Sequence, residues 1–529
     1  MKEIKKILVN GIRVQYKDGV TDYEAEAVHK AASLIKKNTG ANPTNLRISK
    51  KSIDARRDIS FVYSVYAEIE SSKKIEHPDI KEYSVAHLEI QKGTETLSER
   101  PVIIGFGPAG IFAGLLLAEY GYKPLILERG AAVKERVEAV ERFIKFGVLD
   151  TSTNIQFGAG GAGTFSDGKL TTRINDPLIM RVLEILHDLG APDDIMYKAK
   201  PHIGTDILRQ VVENADERIR SLGGEIRYNA RAEKITSRSV TVNGEVISCG
   251  AVILACGHSA RDTYSELIGA GFTVEPKPFS VGVRAEHLQE DIDRAMYGSH
   301  AGDIQLGHAE YQLSWRQGER GCYTFCMCPG GEVVPSASEE GGVVTNGMSH
   351  HARDGKNANA AVCVSVNPSD YGNDPGAAIE FQRNLEKKAF TVGGGDYYAP
   401  MQTLGDLLNG RHGTEPSRII PSYRGGKVRC ADFSEIFPPF VTEMLKAGLD
   451  NFGRKIKGYN AADVPLTGVE TRTSAPVRIV RGDDLCAIGH EGIYPCGEGA
   501  GYAGGIVSAA VDGLRVASKI ISKYRPIEQ

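Results

Sequence analysis

Apolar and polar positions change their period several times along the chain, and each change marks an element. Residues 4–16 alternate, as a strand with one buried face does. Thr21-Asp22-Tyr23-Glu24 forms a capping box that opens a helix, Val28, Ala32 and Ile35 give that helix an apolar stripe, and Gly40 ends it. Leu46 and Ile48 mark a second strand, and Phe61, Tyr63, Val65, Ala67 and Ile69 alternate along a third. Residues 1–95 therefore predict a small α+β module of βαββ order, with one more strand at 83–90. The stretch Ser52-Ile53-Asp54-Ala55-Arg56-Arg57 reads as a charged connection between strands, or as a small binding loop.

The period then shifts to that of buried parallel strands and helices. Val102-Ile103-Ile104 is apolar throughout, as in a strand covered on both faces. Gly105-Phe106-Gly107-Pro108-Ala109-Gly110 is a G-x-G-x-x-G turn, 111–120 reads as a helix closed by Gly121, and 124–127 is a second strand ending in Glu128. Helices follow at 131–146 and 206–222. A meander turning at Asn243-Gly244 comes next, then an apolar strand at 251–257. Residues 276–460 change character, with short strands, many loops and glycine turns. The nucleotide-type pattern returns at Ile493-Tyr494-Pro495-Cys496 and a final amphipathic helix at 506–522. The predicted fold class is α/β. A discontinuous Rossmann-like domain (96–275 plus 461–529) carries an inserted α+β substrate domain (276–460) and the N-terminal module.

Each glycine of the turn has its own task in a dinucleotide site. Gly105 permits the tight turn, Gly107 lets a pyrophosphate approach the backbone, and Gly110 lets helix and strand pack closely. The helix N-terminus adds free N–H groups and a positive dipole end, and Glu128 stands where a carboxylate can accept from an adenosine ribose. Between 158 and 168 there are five glycines in eleven residues, which suits a loop lined with backbone N–H groups rather than a helix or strand. Phe157, Phe165 and Leu170 around it call for burial, so cofactor contact is expected there rather than a free surface loop.

Composition narrows the picture. With 529 residues, 41% hydrophobic and 25% charged, the chain is an ordinary globular protein of two or three domains. A net charge of −4 argues against nucleic acid or an acidic membrane as the main partner. No apolar run is long enough to span a bilayer, and the N-terminus lacks a signal peptide's apolar core, so a cytoplasmic location is expected. Nine cysteines without a C-x-x-C pair suggest neither a disulfide framework nor zinc, and no metal is expected.

Two features favour FAD over NAD(P). Gly497-Glu498 places a carboxylate where a ribityl or ribose hydroxyl needs an acceptor, and the helix from Gly505 aims N–H groups at the flavin edge that gains negative charge on reduction. A second strand–GxGxxG–helix, as expected in a two-nucleotide reductase, is not found.

GFGPAG with ERG, GAGGAGTFSDGKL, ILACG and CGEGAGYAGGI together resemble the FAD-dependent oxidoreductases of the glutathione reductase-like superfold. SIDARR, CMCPGG, NGMSHHARDGKNANAA and ETRTSAPVRI narrow the resemblance to a bacterial FAD-dependent dehydrogenase family with a small N-terminal domain. The resemblance covers essentially the whole chain and speaks to fold and cofactor more than to substrate. It implies that Gly105, Gly107, Pro108, Ala109 and Gly110 take the pyrophosphate and Glu128 the adenosine ribose. Arg129 and Arg136 would lie near the adenine and phosphates. Gly161, Ala162, Gly163 and Thr164 would pass the flavin or diphosphate, Ala232 would meet the adenine edge, and Gly257 would end the strand under the cofactor. Gly497 and Glu498 would reach the ribityl chain, with Glu498 standing where the wider superfamily more often has Asp. Ala503, Gly504, Gly505 and Ile506 would face the flavin ring.

The expected activity is flavin-based oxidation or reduction of a small organic substrate, with NAD(P)H as a candidate electron donor. His350, His351 and Arg353 are candidate catalytic residues, because histidine titrates near working pH and arginine holds anions. Cys326 and Cys328 read as structural thiols or a redox pair. Arg472, Thr473, Ser474 and Arg478 are candidates for the substrate side. Two other readings stay open: a flavoprotein acting on RNA, and a non-catalytic flavin-binding protein.

Overall fold

The computed structural model describes residues 3–56, 58–71, 75–83 and 89–527. Strands Thr44–Asp54, Ser60–Ser71, Glu3–Gln15 and Ile80–Glu82 form, in that spatial order, a four-stranded antiparallel sheet. Helix Tyr23–Thr39 covers one face, burying Ala27, Ala31 and Ile35 in the same core as Val9, Val14, Phe61, Tyr63 and Val65. Its N-cap is Asp22, whose side chain accepts from Ala25 N, one residue after the expected Thr21. Gly40 closes it in the left-handed conformation. Ser52–Asp54 complete a strand instead of forming a loop, and Asp54 takes Arg13 and Arg56 as ion partners. Arg57 lies outside the described residues. The fourth strand falls at Ile80–Glu82 rather than 83–90, and residues 84–88 of that expectation are outside the described residues. The module docks through a parallel bridge between Lys51 and Lys198, closed by Lys51 N–Tyr197 O (2.7 Å) and Ala199 N–Lys51 O (2.8 Å).

Five three-residue strands build a parallel sheet in the order Ile493–Pro495, Val252–Leu254, Val102–Ile104, Leu125–Leu127, Glu225–Arg227. Four of them come from the first half of the chain, and the edge strand arrives almost 240 residues later. Helix Pro108–Glu119 is buried nearly all round, as its apolar sequence requires. It packs against Ile506–Lys523 so closely that a Cβ on Gly513 would stand 2.3 Å from the Ala109 carbonyl oxygen. A small sheet from Ala232–Glu233, Ser239–Val242 and Glu245–Ser248 forms the expected meander.

The inserted segment is more regular than its composition suggested. Its seven-stranded sheet runs Ser314–Gln317, Arg320–Cys328, Asn357–Val366, Phe279–Leu288, Pro465–Glu470, Ala399–Thr403, Val428–Cys430. Helices Pro375–Val392 and Pro439–Gly453 pack on it. The expected boundary at 460/461 is therefore corrected. Pro465–Glu470 pairs with Phe279–Leu288 and with Ala399–Thr403, inside this sheet. The chain leaves and re-enters the parallel-sheet region through one antiparallel pair, Val274–Pro276 with Val477–Ile479. Among the described residues no helix is long and apolar enough to cross a membrane.

Gly513→Ala puts a methyl group against that carbonyl, so the two helices must separate. The expected cost is about 1–3 kcal/mol, read as a lower midpoint in denaturant unfolding.

Candidate functional site

One cleft runs from the carboxyl ends of the parallel strands to the inserted sheet, where a ligand site is expected in an open parallel sheet. It encloses about 1470 Å³, the open solvent at its mouth included. At its near end the three turn glycines are needed for three different reasons. Gly105 has φ +102°, and a Cβ there would stand 2.3 Å from the Ala255 carbonyl oxygen; one on Gly110 would stand 2.0 Å from the Gly105 oxygen. A Cβ on Gly107 would meet only Gly161 Cα at 3.7 Å, so that glycine keeps the cleft open rather than the fold together. Gly107 is also the N-cap of Pro108–Glu119 and offers no side chain to its first N–H groups, which are left for a ligand.

Glu128 and Arg136 hold the glycine loop from two sides. Glu128 accepts from Phe106 N, Gly130 N and Gly158 N, each at 2.9 Å, and still borders the cleft. Arg136 is fully buried and donates to the carbonyls of Asn154 (3.0 Å), Ile155 (3.0 Å), Gly158 (3.2 Å) and Ala159 (2.5 Å). Burial pulls its pKa down to about 9, with Glu128 opposing. The expected placement of Arg136 beside adenine and phosphates is corrected. Its guanidinium is spent on the backbone of 154–159 and does not border the cleft. Phe157, Phe165 and Leu170 are buried under the loop, as their pattern demanded.

At the far end Gly497 N donates to Asp512 (2.7 Å), and Gly497 packs against Ala109. Glu498 faces the cleft with no side-chain hydrogen bond among the described residues, and burial raises its pKa to about 7 against the pull of Lys277. Gly504, Gly505 and Ile506 border the cleft at the N-terminus of the last long helix. Pro108, Ala109, Arg129, Gly161, Ala162, Gly163, Ala232 and Gly257 border it too. Arg129 is forked onto Asp262 (2.9 and 3.2 Å) above the Phe157 ring. Gly110, Thr164, Gly497 and Ala503 stand behind this lining. The Thr164 carbonyl, for example, accepts from Thr205 (2.7 Å).

The inserted sheet supplies the opposite wall. A register shift between Phe325 and Cys328 makes a bulge, with Cys326 at φ +46°. Strand alternation would send Phe325 and Cys326 to opposite faces; the bulge brings both onto the cleft. Cys328 donates its thiol to the Cys326 carbonyl (3.3 Å), so the two sulfurs are not a disulfide, and burial pushes the Cys326 thiol up. Behind the bulge, buried Arg284 grips Glu470 twice (3.0 Å each), Asn346 (3.0 Å), Asn359 (2.9 Å) and the Cys326 carbonyl (2.9 Å). Asn346, Glu470, Arg472 and Thr473 complete the wall. Ser474 is turned to Lys277 (2.6 Å), and Arg478 lies over the Tyr502 ring, outside the lining.

The candidate catalytic residues are corrected. His350 is exposed, and His351 stacks on His202 while its ring bonds the Ile203 carbonyl (3.0 Å). Arg353 is spent on Asp167 (3.0 and 2.6 Å) and Glu310 (2.6 Å). None of the three borders the cleft; Asp167, which does, takes the Arg353 guanidinium. Residues that do border it and escaped the pattern include Gln156, His258, Asn346 and Glu470. The signals for them were motifs without a role attached: His258 directly follows ILACG, and Asn346 and Glu470 open NGMSHHARDGKNANAA and ETRTSAPVRI.

Taken together, the open cradle at Gly107, the two uncapped helix N-termini and the unpartnered Glu498 fit a dinucleotide that carries a ribityl or ribose hydroxyl.

Arg136→Met leaves the buried carbonyls of Asn154 and Ile155 without their donor and those of Gly158 and Ala159 with one donor instead of two, from Gly161 N and the Thr164 hydroxyl. A loss of roughly 3–5 kcal/mol in urea unfolding is expected, with proteolysis starting in 154–168. Glu498 makes the cofactor-free protein pH-sensitive. Its folded pKa lies above the ordinary 4.5, so its contribution is full below pH 4.5 and is lost as pH rises through 7. Glu498→Gln should flatten that part of the stability–pH curve, a difference of at most about 3 kcal/mol.

Residues 278–473 match the family model described as FAD-dependent protein, C-terminal domain-like. A protein of Clostridium beijerinckii (strain ATCC 51743 / NCIMB 8052), designated uncharacterized, is 47% identical over 533 residues, 98% of this chain and 99% of that one. Among solved structures, CtdE in complex with FAD is 14% identical, with 80% of this chain and 84% of that chain covered at a TM-score of 0.32. Glycine oxidase from Bacillus cereus ATCC 14579 is 11% identical, with 80% and 95% covered at 0.31. Structural likenesses this loose carry no argument. The 47% identity along nearly the whole of both chains shows the family, and this chain belongs to the FAD-dependent proteins that share this C-terminal domain.

Proposed function

We propose that this protein is an FAD-dependent oxidoreductase acting on a small organic molecule held between the cofactor and the inserted sheet. The observation that carries the reading is the extent of the cleft. It begins at the glycine turn, passes Glu498 and Gly504–Ile506, and continues to a wall of Phe325, Cys326, Asn346, Glu470 and Arg472. A protein that only stored a dinucleotide has no need of that last wall.

In this reading 105–110 takes the pyrophosphate on its N–H groups. Glu128 has about one lone-pair position left for the adenosine ribose, and Glu498 meets a ribityl hydroxyl. Gly504, Gly505 and Ile506 meet the flavin edge, where the helix N-terminus favours negative charge. FAD supplies the hydride or electron transfer when bound. The protein orients the substrate, keeps water out and holds protons at defined atoms. His258 is pushed down to about 3 by burial and by Arg472 and Arg261, so it stands neutral at the cleft and can accept or donate one hydrogen bond. NAD(P)H is the proposed electron donor. The acidic chain favours a small-molecule substrate over RNA.

The glycine turn supplies the test. Gly107→Val meets no atom of the protein within 3.4 Å at its Cβ, so the variant should fold with unchanged circular dichroism and carry less than a tenth of the wild-type FAD, measured after denaturation. Gly110→Val should fail to fold at all. A Gly107→Val protein as yellow as the wild type would refute the site. Anaerobic mixing with NADH or NADPH should bleach the wild type, whereas a flavin that resists both donors and dithionite-free photoreduction points to a non-catalytic role.

A further inference from the structure

A buried ion cluster joins the two halves of the cleft. Arg261, from the parallel-sheet region, contacts Glu386 (2.7 and 2.8 Å) and Glu339 (2.6 Å). Arg472 contacts the same Glu386 through Nε (3.1 Å) and Nη2 (3.0 Å) and Ser338 through Nη1 (2.5 Å). Arg383 takes Glu339 (2.8 and 3.1 Å). Thr471 and Gln382 fill the remaining polar positions, Thr471 on Glu386 (2.7 Å) and Gln382 on Arg261 (3.2 Å). Three guanidinium groups thus share two carboxylates. The third acid, Glu380, pairs with Arg383 from a half-exposed position where solvent screens it.

Of the three cations, only Arg472 borders the cleft. Its side chain is 4% exposed, and burial together with Arg261 holds its pKa below the ordinary arginine range. A guanidinium has five N–H groups and three are used, which leaves two. With Glu380 on Arg383 the cluster's charges balance, so what Arg472 offers the cleft is hydrogen-bonding capacity left unused on a buried cation, which a ligand group arriving from the cleft can satisfy. Two free N–H groups on one planar group suit a carboxylate. The neutral His258 ring nearby adds a hydrogen-bonding atom without adding charge.

We propose that Arg472 anchors the carboxylate of a small organic acid, the substrate class of this cleft. The inference rests on the FAD reading above, and its failure can be told apart from failure of that reading. Holoprotein is titrated by calorimetry with acetate, benzoate and succinate, and in parallel with their neutral amides. At least one acid should bind at least tenfold more tightly than its amide. Arg472→Lys, which keeps the charge and loses the fork, should weaken that acid tenfold or more while FAD content stays at the wild-type value; its melting temperature falls because the bonds to Glu386 and Ser338 are lost. Acids and amides that bind alike, or not at all, on yellow wild-type protein overturn the carboxylate subsite alone. That comparison needs no variant, so a misfolded Arg472→Lys does not spare the proposal. An Arg472→Lys protein that loses FAD affinity but keeps acid affinity assigns the anion to the cofactor's phosphates and overturns the substrate reading. A wild-type protein that takes up no FAD overturns both.

Discussion

A loop with five glycines in eleven residues has no preferred shape of its own, and here two buried charges impose one. Glu128 takes the N–H of Gly158, and Arg136 takes its carbonyl together with three neighbouring carbonyls. The grip is strong because both groups sit out of water, where charge-assisted hydrogen bonds face no competition. Everything at the near end of the cleft follows from it. Gly161 is brought against Gly107, and Phe157 and Phe165 are carried into the core, under Arg129 and beside Arg136 respectively.

The far wall depends on a second buried guanidinium. Arg284 reaches through the inserted sheet to Glu470, two asparagines and the carbonyl of Cys326, and so stabilises a bulge that costs a left-handed residue. The two grips come from domains far apart in sequence, yet they face each other across one opening. The cluster of Arg261, Glu386 and Arg472 ties those domains together along the side of that opening. The molecule therefore uses buried ion pairs chiefly to place backbone and side chains around a cavity, which is a use of their specificity more than of their net stability.

Much of the near end could be read directly. G-x-G-x-x-G between an apolar triplet and a helix calls for a tight turn at Gly105 and close packing at Gly110, and both are found; Gly107 leaves open space beside the backbone. The meander at Asn243-Gly244 and the closing helix were equally plain, since both are local patterns. The capping residue moved by one position, from Thr21 to Asp22, because either side chain satisfies the same orphan N–H groups. The domain boundary was not legible. Pro465–Glu470 is an apolar strand whose sequence is compatible with either sheet, and only its partners decide between them.

The candidate catalytic residues went astray for a related reason. His350, His351 and Arg353 carry the chemistry a flavoenzyme could use, but residue type says nothing about which partners a turn will meet, and here His351 and Arg353 are taken by Ile203, Asp167 and Glu310. Arg136 was misplaced in the same way, since a cation near a nucleotide turn can serve the ligand or the loop. By itself the chain's order of residues determined the turn, the helices that flank it and the need for a dinucleotide, because those depend on neighbours within a few positions. The tertiary structure alone decided what forms the far wall of the cleft. Cys326, Asn346, Glu470 and Arg472 meet there through a bulge and a shared carboxylate, interactions between residues that are distant in sequence and leave no periodic mark on it.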